Sequence, residues 1–432
     1  MSRLNRGGRT ALLGAALSML SLVVSSRAAA TPFSDIEVSV AQNQRPSSRT
    51  VAASGDLVLV GTPDNENALL FAKSGAAFAP SNTFTPTQSG NKSQFGSAVV
   101  LSGDRAVIGA SGEVNASGVR SGAVYVYQRV SGTWTLSAKL FSSLAVEGNN
   151  FGASLAMSEN RLVVGAPGSG QIYVFDLVAG SWQQKALQSS FPGLGSTVAI
   201  DGNRLVAHGL SGTKHAVYVF DCAQAGCPPT TVLQPAPPDD LVRSFGASVA
   251  VRGTRIVVGA PDAPNTFGFP SVGRVFVYEL QSSGWTQVAT LSEGTKFGEL
   301  GFGESVALSE ERVVVGAPFY TDFLEGGSGE VFVYGIAGTS FPLRETLWDS
   351  DQQYCYDYGS TLSLTNSRVV AGYCIKNETF PGADSGTSTV HVIDLVAPTP
   401  MPAPASGPFA VWALASALAA LGGGMARRRA QN

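Results

Sequence analysis

The hydrophobic pattern of this chain predicts short β-strands. Apolar runs such as "RLVVGAP" from Arg161 and "QIYVF" from Gln171 are almost continuous and do not alternate with polar residues. Runs of this kind are typical of strands whose sheet is covered on both faces. Turns rich in Gly, Ser, Asn and Asp separate them. One stretch predicts four strands, which we label a, b, c and d, at 154–157, 161–165, 171–175 and 181–187.

One sequence phrase recurs seven times along the chain. Four copies are clear: "FGSAVVLSGDRAVIGAS" from Phe95, "FGASLAMSENRLVVGAP" from Phe151, "FGASVAVRGTRIVVGAP" from Phe245 and "FGESVALSEERVVVGAP" from Phe302. Weaker copies begin at Ser47, Leu194 and Tyr358. Successive copies start 43 to 57 residues apart, within the range of propeller blades. We therefore predict an all-β fold, a seven-bladed β-propeller of four-stranded antiparallel blades, over residues 31–396.

The two ends of the repeat array predict how the ring closes. The seventh copy ends after its third strand, "STVHVIDLV", whereas the segment "SDIEVSVAQ" from Ser34 precedes the first copy. A propeller removes its open edges by joining the first and last blades. We expect residues 34–42 to form the outer strand of the seventh blade, beside residues 389–396.

The recurring Phe-Gly and Gly-Ala-Pro resemble the FG-GAP repeat of the integrin α-subunit propeller and of many bacterial surface proteins. The resemblance spans residues 47–396 and implies a ligand-binding propeller. Many members of that family carry a calcium loop between strands a and b, but here that link is a tight turn such as "SGDR" or "SENR". We therefore expect no cofactor and carry over no metal ligands, while calcium binding elsewhere stays open.

Both ends of the chain predict export. Residues 1–30 combine arginines, an apolar run and "RAAA", the pattern of a cleaved signal peptide, with a membrane anchor as the alternative. A Pro-rich linker, 397–408, precedes a hydrophobic helix and an arginine cluster in 409–432. This order resembles the C-terminal sorting signals of Gram-negative bacteria, which include the PEP-CTERM and IPTL-CTERM types. It implies transient membrane contact and a place at the envelope surface or outside the cell, and leaves open whether the helix stays as a transmembrane anchor.

Charge argues against nucleic acid as a partner. Seven of the 28 basic residues, and none of the 31 acidic ones, lie in the two terminal segments. The remaining body has 21 basic and 31 acidic residues, a net charge of −10. A nucleic-acid-binding protein would need a basic stripe.

The four cysteines form two close pairs in sequence, which suits an oxidising compartment. Cys222 and Cys227 flank a short loop, and Cys355 and Cys374 lie on opposite arms of a predicted hairpin. We expect two disulfides, Cys222–Cys227 and Cys355–Cys374. The spacings do not match a zinc site.

The body supplies little catalytic chemistry. Its three histidines, His208, His215 and His391, are expected to be structural, and no acid, base or nucleophile cluster is visible. An arginine follows the a-to-b turn in six of the seven copies, and we expect these arginines to hold neighbouring blades together. A non-enzymatic binding or adhesion module is thus favoured over a hydrolase built on a propeller scaffold and over a purely structural envelope protein.

Strand direction predicts two unlike faces. The a-to-b and c-to-d links share one face, here the turn face, and are expected to be uniformly short. The b-to-c and d-to-a links share the other, here the loop face, and are long, acidic and aromatic. A protein or glycan at the cell surface, a cationic partner, or a divalent ion bridging to one would bind there, although the loops could equally be merely solvated. The candidate binding residues are Asp262, Phe267, Phe269, Phe319, Tyr320, Asp322, Phe323, Glu325, Asp349 and Asp351.

Overall fold

The computed structural model covers most of the repeat region. It describes residues 34–39, 50–88, 92–188, 191–236, 242, 244–264, 272–293, 301–319, 321–322, 326–327, 329–348, 357–376 and 387–395. The expected signal peptide, Pro-rich linker and C-terminal hydrophobic segment all lie outside these residues. Within them, no helix has the length and apolar character needed to span a bilayer.

Seven four-stranded antiparallel sheets form the blades, each in the spatial order a, b, c, d. Blades 1 to 3 comprise Thr50–Ser54, Leu57–Thr62, Asn67–Ser74, Ala77–Phe84; Phe95–Ser102, Arg105–Ala110, Ala123–Val130, Thr133–Phe141; and Ser154–Ser158, Arg161–Ala166, Gln171–Val178, Ser181–Gln188. Blades 4 and 5 comprise Val198–Asp201, Arg204–Ser211, Lys214–Asp221, Pro229–Leu233; and Ser248–Arg252, Arg255–Ala260, Arg274–Gln281, Gly284–Leu291. Blades 6 and 7 comprise Ser305–Leu308, Arg312–Ala317, Glu330–Gly335, Leu343–Leu347; and Thr361–Leu364, Arg368–Lys376, Thr387–Asp394, Ser34–Ser39. The predicted fold is confirmed.

Short elements lie in three of the b-to-c links. Single 3-10 turns, Pro63–Asn65 and Pro167–Ser169, follow strand b in blades 1 and 3. A small hairpin of Thr321–Asp322 and Gly326–Gly327 stands in the corresponding link of blade 6.

The N-terminal strand closes the ring, as predicted. Ser34–Ser39 pairs antiparallel with Thr387–Asp394, with Ile36 opposite Val390. The Ile36 side chain is buried among residues of blades 1 and 7. Strands a of neighbouring blades contact one another all round the ring, including blade 7 with blade 1. The seventh blade is therefore complete, and the ring has no gap between its first and last blades.

The core lies between the blades and explains the continuous apolar runs. In strand b of blade 3, Leu162 and Val164 pack with residues of blade 2. Val163, between them in sequence, packs on the other side with residues of blade 4 such as Leu205. Because neighbouring blades cover both faces of each sheet, the strand is buried and without polar side chains from Leu162 to Ala166.

The repeated glycines allow blades to approach closely near the ring centre. The second residue of the phrase is a glycine with a positive φ, +94° at Gly152 of a Phe-Gly pair and +92° at Gly195 after Leu194, a conformation that side chains disfavour. A Cβ on Gly165 of blade 3 would overlap the carbonyl oxygen of Gly195 in blade 4, and the same overlap recurs at four further junctions. The Phe-Gly and Gly-Ala-Pro motifs are thus two halves of one inter-blade contact.

The six repeated arginines join neighbouring blades. Arg161 donates bonds of 2.6 and 2.9 Å to both carboxylate oxygens of Asp176 in its own blade and one of 2.5 Å to Asn203 in blade 4. At ring closure, Arg368 contacts Asp394 at 2.6 Å and the Gly55 carbonyl of blade 1 at 2.7 Å. Each of the other four also donates to the following blade. The architectural role expected for them agrees with these contacts.

One predicted disulfide agrees with the structure. Cys222 and Cys227 are buried and paired in the c-to-d link of blade 4, with their Cα atoms 4.0 Å apart. Cys374 lies in strand b of blade 7, but Cys355 is outside the described residues. The second pairing stays a prediction.

Candidate functional site

The turn face is less uniform than the sequence suggests. In blade 4, the c-to-d link runs from 222 to 228 and is closed by the Cys222–Cys227 pair. Blade 6 also has a longer c-to-d link, with a turn between Ala337 and Ser340. Conversely, strands b and c of blade 4 join through a tight turn on the loop face. The expectation of uniformly short turns is therefore wrong, because insertions occur on both faces.

A cavity of about 560 Å³ opens on the turn face, at the turns of blades 3 to 6. Two arginines line it, Arg252 and Arg255. Arg252 lies 3.5 Å from Asp201 and 3.3 Å from Glu310, and Arg255 pairs with Glu279. Asp201 also accepts a 2.7 Å bond from the backbone of Gly253. Opposite charges thus offset one another within this cavity.

The structure describes three of the ten candidate binding residues. Asp262 is exposed after strand b of blade 5, and Phe319 is 50% exposed after strand b of blade 6. Asp322 lies in the small hairpin of that blade. Seven others lie outside the described residues: Phe267, Phe269, Tyr320, Phe323, Glu325, Asp349 and Asp351.

Carboxylates from three neighbouring blades influence one another on the loop face. Glu304 begins blade 6 at the third position of the phrase, where the other clear copies have Ser or Ala. Burial raises the pKa of Glu304, and the negative charges of Asp262 and Asp357 raise it further. Glu304 is not among the residues predicted from the sequence, although a charge in a repeat position otherwise held by small residues is a visible signal. These side chains make this part of the face electronegative.

Beside these carboxylates, blade 4 carries a hydrogen-bonded pair of histidines. His208 Nδ1 lies 2.6 Å from Ser196 Oγ, and His208 Nε2 lies 2.9 Å from His215 Nδ1. Burial, and then the nearby His215, lower the pKa of His208 to about 4. Burial also lowers the pKa of His215, while the Asp262 carboxylate partly offsets this shift. Both rings are therefore neutral near pH 7.

Two local departures from the repeat create this pair. His208 stands where strand b of every other blade has a glycine: Gly61, Gly109, Gly165, Gly259, Gly316 and Gly372. The tight turn after strand b then places His215 diagonally across from His208. In the register of strands b and c, His208 is opposite Val217 and His215 is opposite Leu210. The sequence predicts a structural role for each histidine separately and does not predict that the two side chains contact each other. We name Ser196, His208, His215, Asp262, Glu304 and Asp357 the loop-face cluster.

Comparison with known families identifies the repeat. The FG-GAP repeat model matches residues 82–127, 134–175 and 285–334. The chain carries FG-GAP repeats. Each matched FG-GAP segment runs from strand d of one blade through strand c of the next, and so spans an inter-blade junction. FG-GAP repeats are typical of extracellular or surface proteins, and the fold fits a ligand-binding or structural module.

Solved structures resemble the FG-GAP chain in fold. A chain in the crystal structure of the Mitotic Checkpoint Complex has a TM-score of 0.53 and 12% identity, covering 85% of this chain and 95% of that one. A Lactobacillus plantarum protein has a TM-score of 0.47 and 14% identity, with coverages of 72% and 86%. BamB from Moraxella catarrhalis has a TM-score of 0.41 and 14% identity, with coverages of 79% and 83%. No curated protein sequence matches the chain.

Proposed function

We propose that this FG-GAP propeller is an exported, non-enzymatic binding or adhesion module that presents its loop face to a cationic protein or glycan at the cell surface. The supporting observation is the position of Asp262, Glu304 and Asp357 on one face, where burial raises the pKa of Glu304 and the two neighbouring negative charges raise it further. A positively charged partner would relieve the repulsion among these carboxylates. The proposal includes no nucleic acid and no enzymatic step.

Rigidity and charge distribution support the choice of face. The three carboxylates stand at the ends of blades 5, 6 and 7, whose strands a contact one another in the ring. Fixed negative charges attract a cationic ligand without having to be rearranged on binding. On the turn face, by contrast, Arg252 already lies beside Asp201 and Glu310.

The test compares matched carboxylate changes on the two faces. Binding of oligolysine and of chitosan oligomers to the exported chain is measured at low and high salt, with neutral chitin oligomers as reference. Glu304→Ser introduces a residue that other blades have at that position, and it is combined with Asp262→Asn. Glu159→Gln with Glu310→Gln is the turn-face control. We expect the loop-face pair to weaken cationic binding about tenfold at low salt and the control pair to leave it unchanged.

A second variant tests the loops themselves. Neutralising Asp322, Glu325, Asp349 and Asp351 together should also weaken cationic binding in a salt-dependent way. If the loop-face and turn-face variants behave alike, the face assignment is wrong. Release of shortened oligomers from the glycan probes would favour a hydrolase, and binding of none of the probes would favour a purely structural envelope protein.

A further inference from the structure

We propose that His208 and His215 form a binding site for a late first-row divalent metal ion, Cu²⁺, Ni²⁺ or Zn²⁺. This site goes beyond the proposed binding function and does not depend on it. Imidazole nitrogen is a preferred donor for these ions, in contrast to the carboxylate and carbonyl oxygens that calcium needs.

The ring geometry suits one shared ion. His208 Nε2 and His215 Nδ1 face one another at 2.9 Å, with ring centroids 5.0 Å apart and planes inclined by 27°. Two Zn–N bonds of about 2.0–2.1 Å at a tetrahedral angle place their nitrogens roughly 3.3 Å apart. Admitting the ion therefore needs an opening of about 0.4 Å, together with rotations of both rings that turn the two lone pairs toward a common point.

Ser196 can hold the tautomer that metal binding requires. Its hydroxyl lies 2.6 Å from His208 Nδ1, so that Nδ1–H donates to Oγ and Nε2 keeps its lone pair. His215 correspondingly carries its proton on Nε2 and presents Nδ1. Both imidazoles stay neutral, and the ion replaces the hydrogen bond between them. A hydrogen bond from the second ring nitrogen is the usual way in which proteins orient metal-binding histidines.

The remaining coordination positions are open to solvent. Ser196 and Asp262 are exposed and His215 is partly exposed, whereas His208 is only 9% exposed. Among the described residues no three His, Cys, Asp or Glu side chains are placed to hold a metal together. The site is thus a two-histidine chelate completed by water, with the Asp262 carboxylate near enough to act electrostatically on His215.

Comparison with the other blades indicates that the histidine pair does more than fill space between blades 4 and 5. The six other blades have glycine at the position of His208. In blade 5, Gly246 packs beside His208, and a Cβ on Gly246 would be 2.7 Å from the His208 ring. The hydroxyl bond of this junction, from Thr197 to the Gly246 carbonyl at 2.8 Å, is retained. The junction therefore keeps its ordinary contact and adds an imidazole pair that its architecture does not require.

The test is calorimetric titration of the exported chain, prepared without a histidine tag, with CuCl₂, NiCl₂, ZnCl₂ and CaCl₂. We expect one equivalent of Cu²⁺ to bind more tightly than Zn²⁺ or Ni²⁺, and no Ca²⁺ binding at this site. The electron paramagnetic resonance spectrum of the Cu²⁺ complex should show coupling to nitrogen.

Three variants and a control decide the outcome. His208→Gly restores the residue of the other blades and should fold, and both it and His215→Gln should weaken Cu²⁺ binding at least tenfold. Ser196→Ala, which introduces the residue of blades 3 and 5, should weaken it less. Glu304→Ser should leave it unchanged, which separates this site from the proposed ligand face. Retained Cu²⁺ affinity and nitrogen coupling in folded His208→Gly and His215→Gln, or the absence of Cu²⁺ binding in the wild type, would overturn the proposal.

Discussion

The hydroxyl of Ser154 in blade 3 donates a 2.7 Å hydrogen bond to the carbonyl oxygen of Gly195 in blade 4. The same bond recurs at five other junctions, from Thr50, Ser97, Thr197, Ser248 and Ser305. Each acceptor is the second residue of the repeat phrase, a glycine that follows Phe in four of these blades, Leu194 in blade 4 and Tyr358 in blade 7. Its positive φ turns its carbonyl toward the preceding blade. A short polar side chain and a bare backbone thus meet at six of the seven inter-blade junctions.

Gly165→Ala should destabilise the ring strongly. Its new Cβ would overlap the Gly195 carbonyl, which is backbone and cannot move aside cheaply. We expect a loss of about 3 kcal/mol in the free energy of unfolding, measured by urea denaturation. Ala153→Ser, which introduces a residue found at that position in blades 2, 4 and 7, is the control. Equal stability of Gly165→Ala and the wild type would show that the junction is not tightly packed.

The Asp176–Arg161 pair should make stability depend on pH. The hydrogen bonds from Arg161 hold the pKa of Asp176 below its ordinary value of 3.8. Their stabilising contribution is therefore fully present above that value and is lost as the pH falls below it. Asp176→Asn should cost about 1–3 kcal/mol at pH 7, and the difference from wild type should shrink below pH 4.

Urea denaturation at a series of pH values checks this expectation. Glu159→Gln, which changes an exposed carboxylate of the same blade, is the control and should show little change. A difference between Asp176→Asn and wild type that stays constant down to pH 2 would contradict the assigned role of the ion pair.

Loss of the N-terminal strand should open the ring. Deleting residues 31–42 removes the outer strand of blade 7 and exposes the edge of Thr387–Asp394. We expect a lower melting temperature and concentration-dependent light scattering, because an unpaired strand edge promotes aggregation. Ile36→Asp, which introduces a charge at a 1% exposed position, should act in the same direction. Unchanged melting and solubility in both variants would count against this closure.

Mass spectrometry of unreduced peptides tests the cysteine pairs. The full chain, isolated without reduction, should yield one peptide linked through Cys222 and Cys227 and a second linked through Cys355 and Cys374. The first pair is buried and its two side chains already contact each other. Free thiols at all four positions would refute the assignment.

The parts of this structure that repeat could be predicted from the sequence. The four strands expected in blade 3 begin at the residues at which the structure begins them, 154, 161, 171 and 181. The role of Arg161 and its counterparts followed from their recurrence after each a-to-b turn. Periodicity also exposed what was missing, namely the last strand of blade 7, and so indicated that residues near Ser34 supply it.

The candidate site resisted prediction because it depends on departures from the repeat. His208 and His215 meet only because the link between strands b and c of blade 4 is short. The number of residues in a link does not show which residues of the two strands lie opposite each other. Asp262 and Glu304 come from different blades and act on each other through space. Strand d also has a bulge opposite strand c in six blades, as at Lys185 opposite Val174 and Phe175, which no residue type marks in advance.

The pairing of the first strand with the last has a consequence for how the molecule is made. Arg368 and the Gly55 carbonyl that it contacts are 313 positions apart in the chain. Ile36 likewise cannot pair with Val390 until Val390 has been synthesised. During synthesis from the N-terminus, the first strand emerges long before its partner exists. Blades 1 to 6 can fold in order, but the ring becomes one cooperative unit only when strand c of blade 7, the last strand to be synthesised, pairs with the N-terminal strand. Folding is thus completed as a late, long-range event, a slow kind of step because distant segments must find each other.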